Sequence, residues 1–199
     1  IIKTVLELNQ SIVEQVVAQV VQAYGGSVSA TVPSAGEDGI FADMDSAVLA
    51  AKKAQEEYMG CSMADRKKFV QTIRDVILVE ENLKHISSLA VEETGMGDYH
   101  CKLVKNRAAA ELTPGVEDLT TGALTGDDGL TTIEYSPYGV IGAITPTTNP
   151  TETIINNSIG MLSAGNSVVF SPHPRARKVT LDTIRMINRA LAKDGAPRN

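Results

Sequence analysis

Near the start of the chain, apolar residues fall at Ile12, Val13, Val16, Val17, Val20, Val21 and Tyr24, with Glu14, Gln15, Gln19 and Gln22 between them. This spacing draws a stripe along one face of a helix and predicts an amphipathic helix over residues 1–24. Its β-branched residues are mediocre helix formers, so the stripe wants a covering partner. Residues 25–39 are small and polar, are punctuated by Gly25, Gly26, Pro33, Gly36 and Gly39, and read as a flexible linker. A globular body then starts near Ile40. A helix on a tether and a terminal helix docked on its own domain fit this pattern equally well.

From Asp43 to Glu93 the apolar period is helical. A first helix runs to about Tyr58, with Asp45 or Ser46 as its cap. A second aligns Phe69, Val70, Ile73, Val76 and Ile77, and a third, from about Glu81, aligns Leu83, Ile86, Leu89 and Ala90 before Gly95 stops it. A fourth spans Cys101 to about Leu112, ahead of Pro114. After Gly129 the period changes. Leu130 to Tyr135 alternates, as a half-exposed strand does, and Pro137 ends it. Tyr138 to Ile144 is almost continuously apolar, which predicts a strand buried on both faces; a helix to Gly165 follows. Ser167 to Phe170 predicts a second buried strand, and a last helix covers about Val179 to Lys193. Strand–helix–strand–helix is the first half of a doubly wound parallel sheet, so the fold class is α/β.

Composition narrows the function. Lys+Arg 18 against Asp+Glu 24 leaves a net charge of −6 with no basic run, which argues against nucleic acid and anionic membrane surfaces as partners. Aromatics make up 4% and Trp is absent, so base-stacking platforms are scarce. No apolar run approaches the roughly 20 residues of a membrane span. Cys61 and Cys101 lack the spacing of a zinc site or a disulfide framework, and no metal site is expected. These features describe a soluble chain of a reducing, intracellular compartment. His85, His100 and Cys101 lie in helical scaffold, where structural or exposed roles are expected.

In an open parallel sheet, ligands bind beyond the carboxyl ends of the strands. Those ends carry Thr145–Asn149 and Ser171–Arg177, and both loops enter helix N-termini whose free N–H groups favour a phosphate. There is no GxGxxG and no GxxxxGK[ST], so the residues alone support only an α/β fold that accommodates a nucleotide. Asn149 has two readings. Asn before Pro150, with Glu152 in the first turn, is ordinary helix-start chemistry; alternatively, its amide is a donor to a developing oxyanion. The residues alone favour the cap.

The linked motifs Tyr135–Pro150, Ile155-Asn156-Asn157, Ala164–Phe170 and Ser171-Pro172-His173-Pro174 resemble the aldehyde dehydrogenase superfamily. More narrowly, they resemble the CoA-acylating acetaldehyde/propionaldehyde dehydrogenases of bacterial microcompartments, as do Thr94–Gly97, Thr113–Glu117 and Thr125–Leu130. The resemblance covers roughly Phe41 to Asn199. It implies that residues 40–199 are the amino-terminal part of a Rossmann-like NAD-binding domain, with an oligomerisation strand near 130–137. It implies Asn149 as the oxyanion donor, Thr145, Pro146 and Thr147 beside the nicotinamide end of NAD, and Ser171, Pro172 and His173 near the adenosine ribose. Many non-acylating relatives carry lysine where Ser171 stands, so ribose recognition differs in detail. The implied activity is oxidation of a short-chain aldehyde to acyl-CoA by a homo-oligomer, with coenzyme A as co-substrate. The nucleophilic cysteine is expected downstream of this chain, which alone is then inactive. The N-terminal helix resembles an encapsulation peptide, implying a shell protein as partner and a cytoplasmic location inside a microcompartment. Two alternatives stand beside this: the aldehyde dehydrogenase half of a bifunctional aldehyde–alcohol dehydrogenase, and a non-catalytic targeting module.

Overall fold

The computed structural model describes residues 36–198. The expected helix over 1–24 and most of the linker over 25–39 lie outside the described residues.

The described chain opens with four helices: α1 (Met44–Tyr58), α2 (Met63–Leu78), α3 (Glu80–Thr94) and α4 (Tyr99–Leu112). Asp43 caps α1: its backbone is extended and its Oδ1 accepts from the Ser46 N–H at 2.8 Å. Neither Asp45 nor Ser46 is the cap; Ser46 is three residues inside and serves as the donor. Ser62 and Asp65 form a reciprocal capping box at the start of α2. Gly95 (φ +66°) ends α3 in the left-handed conformation that its lack of a Cβ permits. Asp98 caps α4 two residues earlier than the sequence pattern indicates, because the polar Tyr99-His100 pair adds no apolar period to read.

A hairpin follows, β1 (Gly122–Gly126) and β2 (Gly129–Ile133), paired antiparallel from Gly122↔Ile133 to Gly126↔Gly129. The expected half-exposed strand is β2, but it is exposed along its whole length, as is β1. Among the described residues the two strands pack chiefly on each other and every residue of both is exposed, so alternation in the sequence has no buried side to match.

The rest is β3 (Val140–Ile144), α5 (Pro150–Ser163), β4 (Ser167–Ser171) and α6 (Arg177–Lys193), with β3 and β4 parallel. The buried Asn166 sets their start: its Oδ1 accepts from the N–H groups of Tyr138 (2.6 Å) and Gly139 (2.9 Å). The expectation of two fully buried strands is corrected. Only Ala143 is buried in β3, Ile144 stands 88% exposed, and in β4 only Val169 is buried. The cause is coverage. α1 and α5 both pack on β4, whereas among the described residues β3 packs chiefly on β4 and only lightly on α1.

The core lies among the helices. Phe69, Val70, Ile73 and Ile77 of α2 pack with Ile154, Ile155 and Ile159 of α5, Leu83 and Ile86 of α3, and Ile187 and Leu191 of α6. Each such fully buried aliphatic side chain stabilises by about 1.5–3 kcal/mol relative to exposure. α5 and α6, the helices that follow the β3 and β4 loops, are anchored in this block.

Candidate active site

The β3 and β4 ladder runs from Val140↔Ser167 to Ile144↔Ser171, and one further bond, Thr145 N–H to the Ser171 carbonyl at 3.0 Å, carries it into the loops. The two predicted site loops are thereby brought side by side at the carboxyl end of the sheet. Thr145 is 1% exposed and its Oγ1 has no hydrogen-bond partner; the half-buried Thr147 has an equally unpartnered, buried Oγ1. Pro146 and Thr148 are exposed. An unpaired buried hydroxyl costs about 1–3 kcal/mol. Two in one three-residue stretch leave hydrogen-bonding capacity unused, which is compatible with a polar group such as a nicotinamide cofactor would supply.

Asn149 precedes Pro150 at the head of α5, yet its side chain makes no capping bond; its backbone is at φ −136°, ψ 60°. Its carbonyl Oδ1 instead accepts from Lys105 Nζ at 3.3 Å. The Nδ2 group makes no hydrogen bond among the described residues. The helix start is held by the Asn149 backbone carbonyl, which accepts from Thr153 N–H (3.2 Å) and Thr153 Oγ1 (2.7 Å). The cap reading that the residues alone favour is therefore not realised through the side chain.

Two lysines that sequence reasoning missed, together with Glu152, complete this corner. Lys102 Nζ, with its side chain 3% exposed, donates to the Thr148 carbonyl at 2.6 Å and to Glu152 Oε1 at 3.2 Å. Lys105 lies one turn further along α4. Glu152 is visible in sequence as a first-turn acid, but its lysine partner is not, since pairing with a residue 50 positions away leaves no local signal.

The second loop behaves differently. Ser171, Pro172 and His173 are half-buried, and His173 Nδ1 accepts from the Arg175 N–H at 3.1 Å, capping a short 3₁₀ turn. Ser171 and Pro172 border a cavity of about 300 Å³ between α1, β4 and α6; Thr145–Asn149 do not reach it. The expectation of free N–H groups at the head of α6 is corrected: the Lys178 and Val179 N–H groups both donate to the Glu93 carboxylate at 2.7 Å. With a carboxylate already on them, these two N–H groups are taken and the terminus is less favourable for a phosphate.

The scaffold residues fall as expected. His85 Nε2 meets Asp182 Oδ2 at 2.5 Å on the surface, and His100 is exposed. Burial pushes the Cys61 thiol up, and the hydrogen bond and charge of Asp98 push the Cys101 thiol up. Neither is a poised thiolate.

The sequence profile described as the aldehyde dehydrogenase family matches residues 12–199. The chain belongs to that family. Over 153 residues it is 53% identical to a propanal dehydrogenase (CoA-propanoylating) of Citrobacter freundii, covering 75% of this chain and 32% of that protein. A Rhodopseudomonas palustris propionaldehyde dehydrogenase solved with bound CoA and an acylated cysteine shares 67% identity at TM-score 0.80, over 81% of this chain and 37% of that one. An engineered glycolyl-CoA reductase with bound NADP⁺ shares 65% identity at TM-score 0.81, over 83% and 37%. A propionaldehyde dehydrogenase from the Clostridium phytofermentans fucose utilisation bacterial microcompartment shares 50% at TM-score 0.77, over 80% and 36%. The chain thus spans well under half the length of these aldehyde dehydrogenases. Within that span the expected fold class holds: this is the amino-terminal part of a Rossmann-like cofactor domain. No helix among the described residues is long and apolar enough to cross a membrane.

Proposed function

We propose that this chain is the amino-terminal part of a CoA-acylating aldehyde dehydrogenase. In the proposed reaction a short-chain aldehyde, coenzyme A and NAD⁺ give acyl-CoA, NADH and one proton. The relatives with bound CoA, bound NADP⁺ and an acylated cysteine support this reading. The observation within this chain that carries it is the Asn149 side chain, released from capping with its carbonyl oxygen engaged and its N–H₂ unbonded. Such a donor suits an oxyanion that develops when a thiolate adds to the aldehyde. Thr145, Pro146 and Thr147 are assigned to the nicotinamide end of NAD, and Ser171, Pro172 and His173 to its ribose side. The cofactor, when bound, supplies a hydride acceptor. The residues of this chain contribute polar contacts to it and an amide to the substrate oxygen.

The reading extends to assembly. The exposed hairpin, with Leu124, Leu130 and Ile133 uncovered, is assigned as the arm of a homo-oligomer near 130–137. Residues 1–24 are assigned as an encapsulation-type helix that meets a shell protein on the 25–39 tether, which places the enzyme in the cytoplasm inside a bacterial microcompartment.

The test is Asn149→Ala in the enzyme expressed from its complete reading frame. Loss of one oxyanion donor lowers kcat about 10²-fold or more. Loss of a cap costs only ~1 kcal/mol of stability and leaves turnover near normal. Near-normal turnover with a much lower Tm would return Asn149 to the role of a cap.

A further inference from the structure

Helix α4 sends two lysines, one turn apart, into the loop that ends at Asn149. They do different work. Lys102 is almost completely buried, and a buried ammonium is tolerated only when paired and hydrogen-bonded. Its partners are the Glu152 carboxylate on the first turn of α5 and the carbonyl of Thr148, the residue just before Asn149. This is a three-way clamp: α4, the loop backbone and α5 meet on one nitrogen. Lys105 is exposed and reaches the Asn149 side chain itself.

An ammonium has donors only. It can bond the oxygen of a carboxamide and never the N–H₂, so Lys105 selects one of the two flip states of Asn149. In that state the amide nitrogen points away from α4. The positive charge also polarises the amide, making its N–H₂ a stronger donor.

We propose that Lys105 is a positioning residue for the aldehyde oxidation, fixing the flip state of Asn149, and that Lys102 with Glu152 fixes the backbone on which Asn149 sits. This rests on the reading of Asn149 as an oxyanion donor. Neither lysine touches substrate; both act through Asn149.

The experiment is a double-mutant cycle in the enzyme expressed from its complete reading frame, with Lys105→Met, Lys105→Arg, Asn149→Ala and the double variant Lys105→Met/Asn149→Ala. Misorienting one donor is expected to lower kcat by ~10-fold in Lys105→Met, with KM for aldehyde and NAD⁺ within about twofold and Tm unchanged. Lys105→Arg, which keeps a donor, recovers most of the loss. In the Asn149→Ala background Lys105→Met costs nothing further, because no amide remains to orient. Lys102→Met, measured for both Tm and kcat, is expected to lower both. An unchanged kcat in Lys105→Met, or an equal loss with and without Asn149, overturns the positioning role while leaving Asn149 as the donor. Normal turnover in Asn149→Ala overturns the reading of Asn149, and the positioning role falls with it.

Discussion

At the scale of single residues, the chemistry of this chain is decided by which polar atoms already have partners. Asn149 keeps its N–H₂ unbonded, and Thr145 and Thr147 keep buried hydroxyls unpaired, whereas His173 spends Nδ1 on the Arg175 N–H. The two thiols lean the other way. A nucleophilic cysteine is favoured by surroundings that hold it as thiolate, such as a nearby cation or a helix N-terminus free of competing anions. Cys101 is hydrogen-bonded to an anion, Asp98, and Cys61 is partly buried beside Asp65; both are pushed up from the ordinary thiol range. A reactive thioester is therefore not expected on either. Purified residues 1–199, given acetaldehyde, NAD⁺ and CoA, should form no NADH above the rate without protein. Turnover that disappears on Cys101→Ala would contradict this directly.

At the scale of elements, caps do much of the specifying. Asp65 Oδ2 accepts from the Ser62 N–H at 2.9 Å and from Ser62 Oγ at 2.6 Å, and these bonds hold its carboxyl below the ordinary value of 3.8. A carboxyl lowered in the folded state adds stability that is complete above its unfolded value and is lost as the pH falls through the folded one. Asp65→Asn should therefore lower Tm at pH 7, and the gap to the parent chain should close as the pH drops below 3.8. A gap that stays constant across thermal melts from pH 7 to pH 3 would remove the charge from the argument. The helices were readable because their apolar period survives in sequence, as in Phe69, Val70, Ile73 and Ile77. The α1 cap was harder to read, since Asp43, Asp45 and Ser46 are all competent and only backbone geometry selects Asp43. Strand β1, Gly-Ala-Leu-Thr-Gly, was not legible at all: it buries nothing, so it carries no alternation. The strand runs of β3 and β4 report what they are built to bury, not what covers them. The same limit hides the Lys102–Glu152 clamp and the Lys105–Asn149 bond, which join residues 50 and 44 positions apart.

At the scale of the whole molecule, the question is what the valine-rich start of the chain is for. The proposed helix over residues 1–24 would carry Val13, Val17 and Val21 as an apolar stripe that needs a cover, and a helix of that length is marginal in isolation. The Gly/Pro/Ser-punctuated stretch from Gly25 to Gly39 is proposed as a tether, a composition that would give the segment reach. The proposed partner is a helix of a compartment shell protein, recognised by the helix-in-groove mode, in which the apolar stripe is buried and the Glu14, Gln15 and Gln22 side remains wet. Charge is then tolerated on the wet side and not on the stripe. In cells that make the shell, a fluorescent reporter carrying residues 1–24 should collect with the shells. Val17→Asp should leave it diffuse, because burying an unpaired carboxylate costs several kcal/mol against the modest gain of a short helix, whereas Gln15→Glu should leave it bound. If the unmodified fusion stays diffuse, or Val17→Asp collects with shells as well as the parent does, the segment is a helix that belongs to its own enzyme.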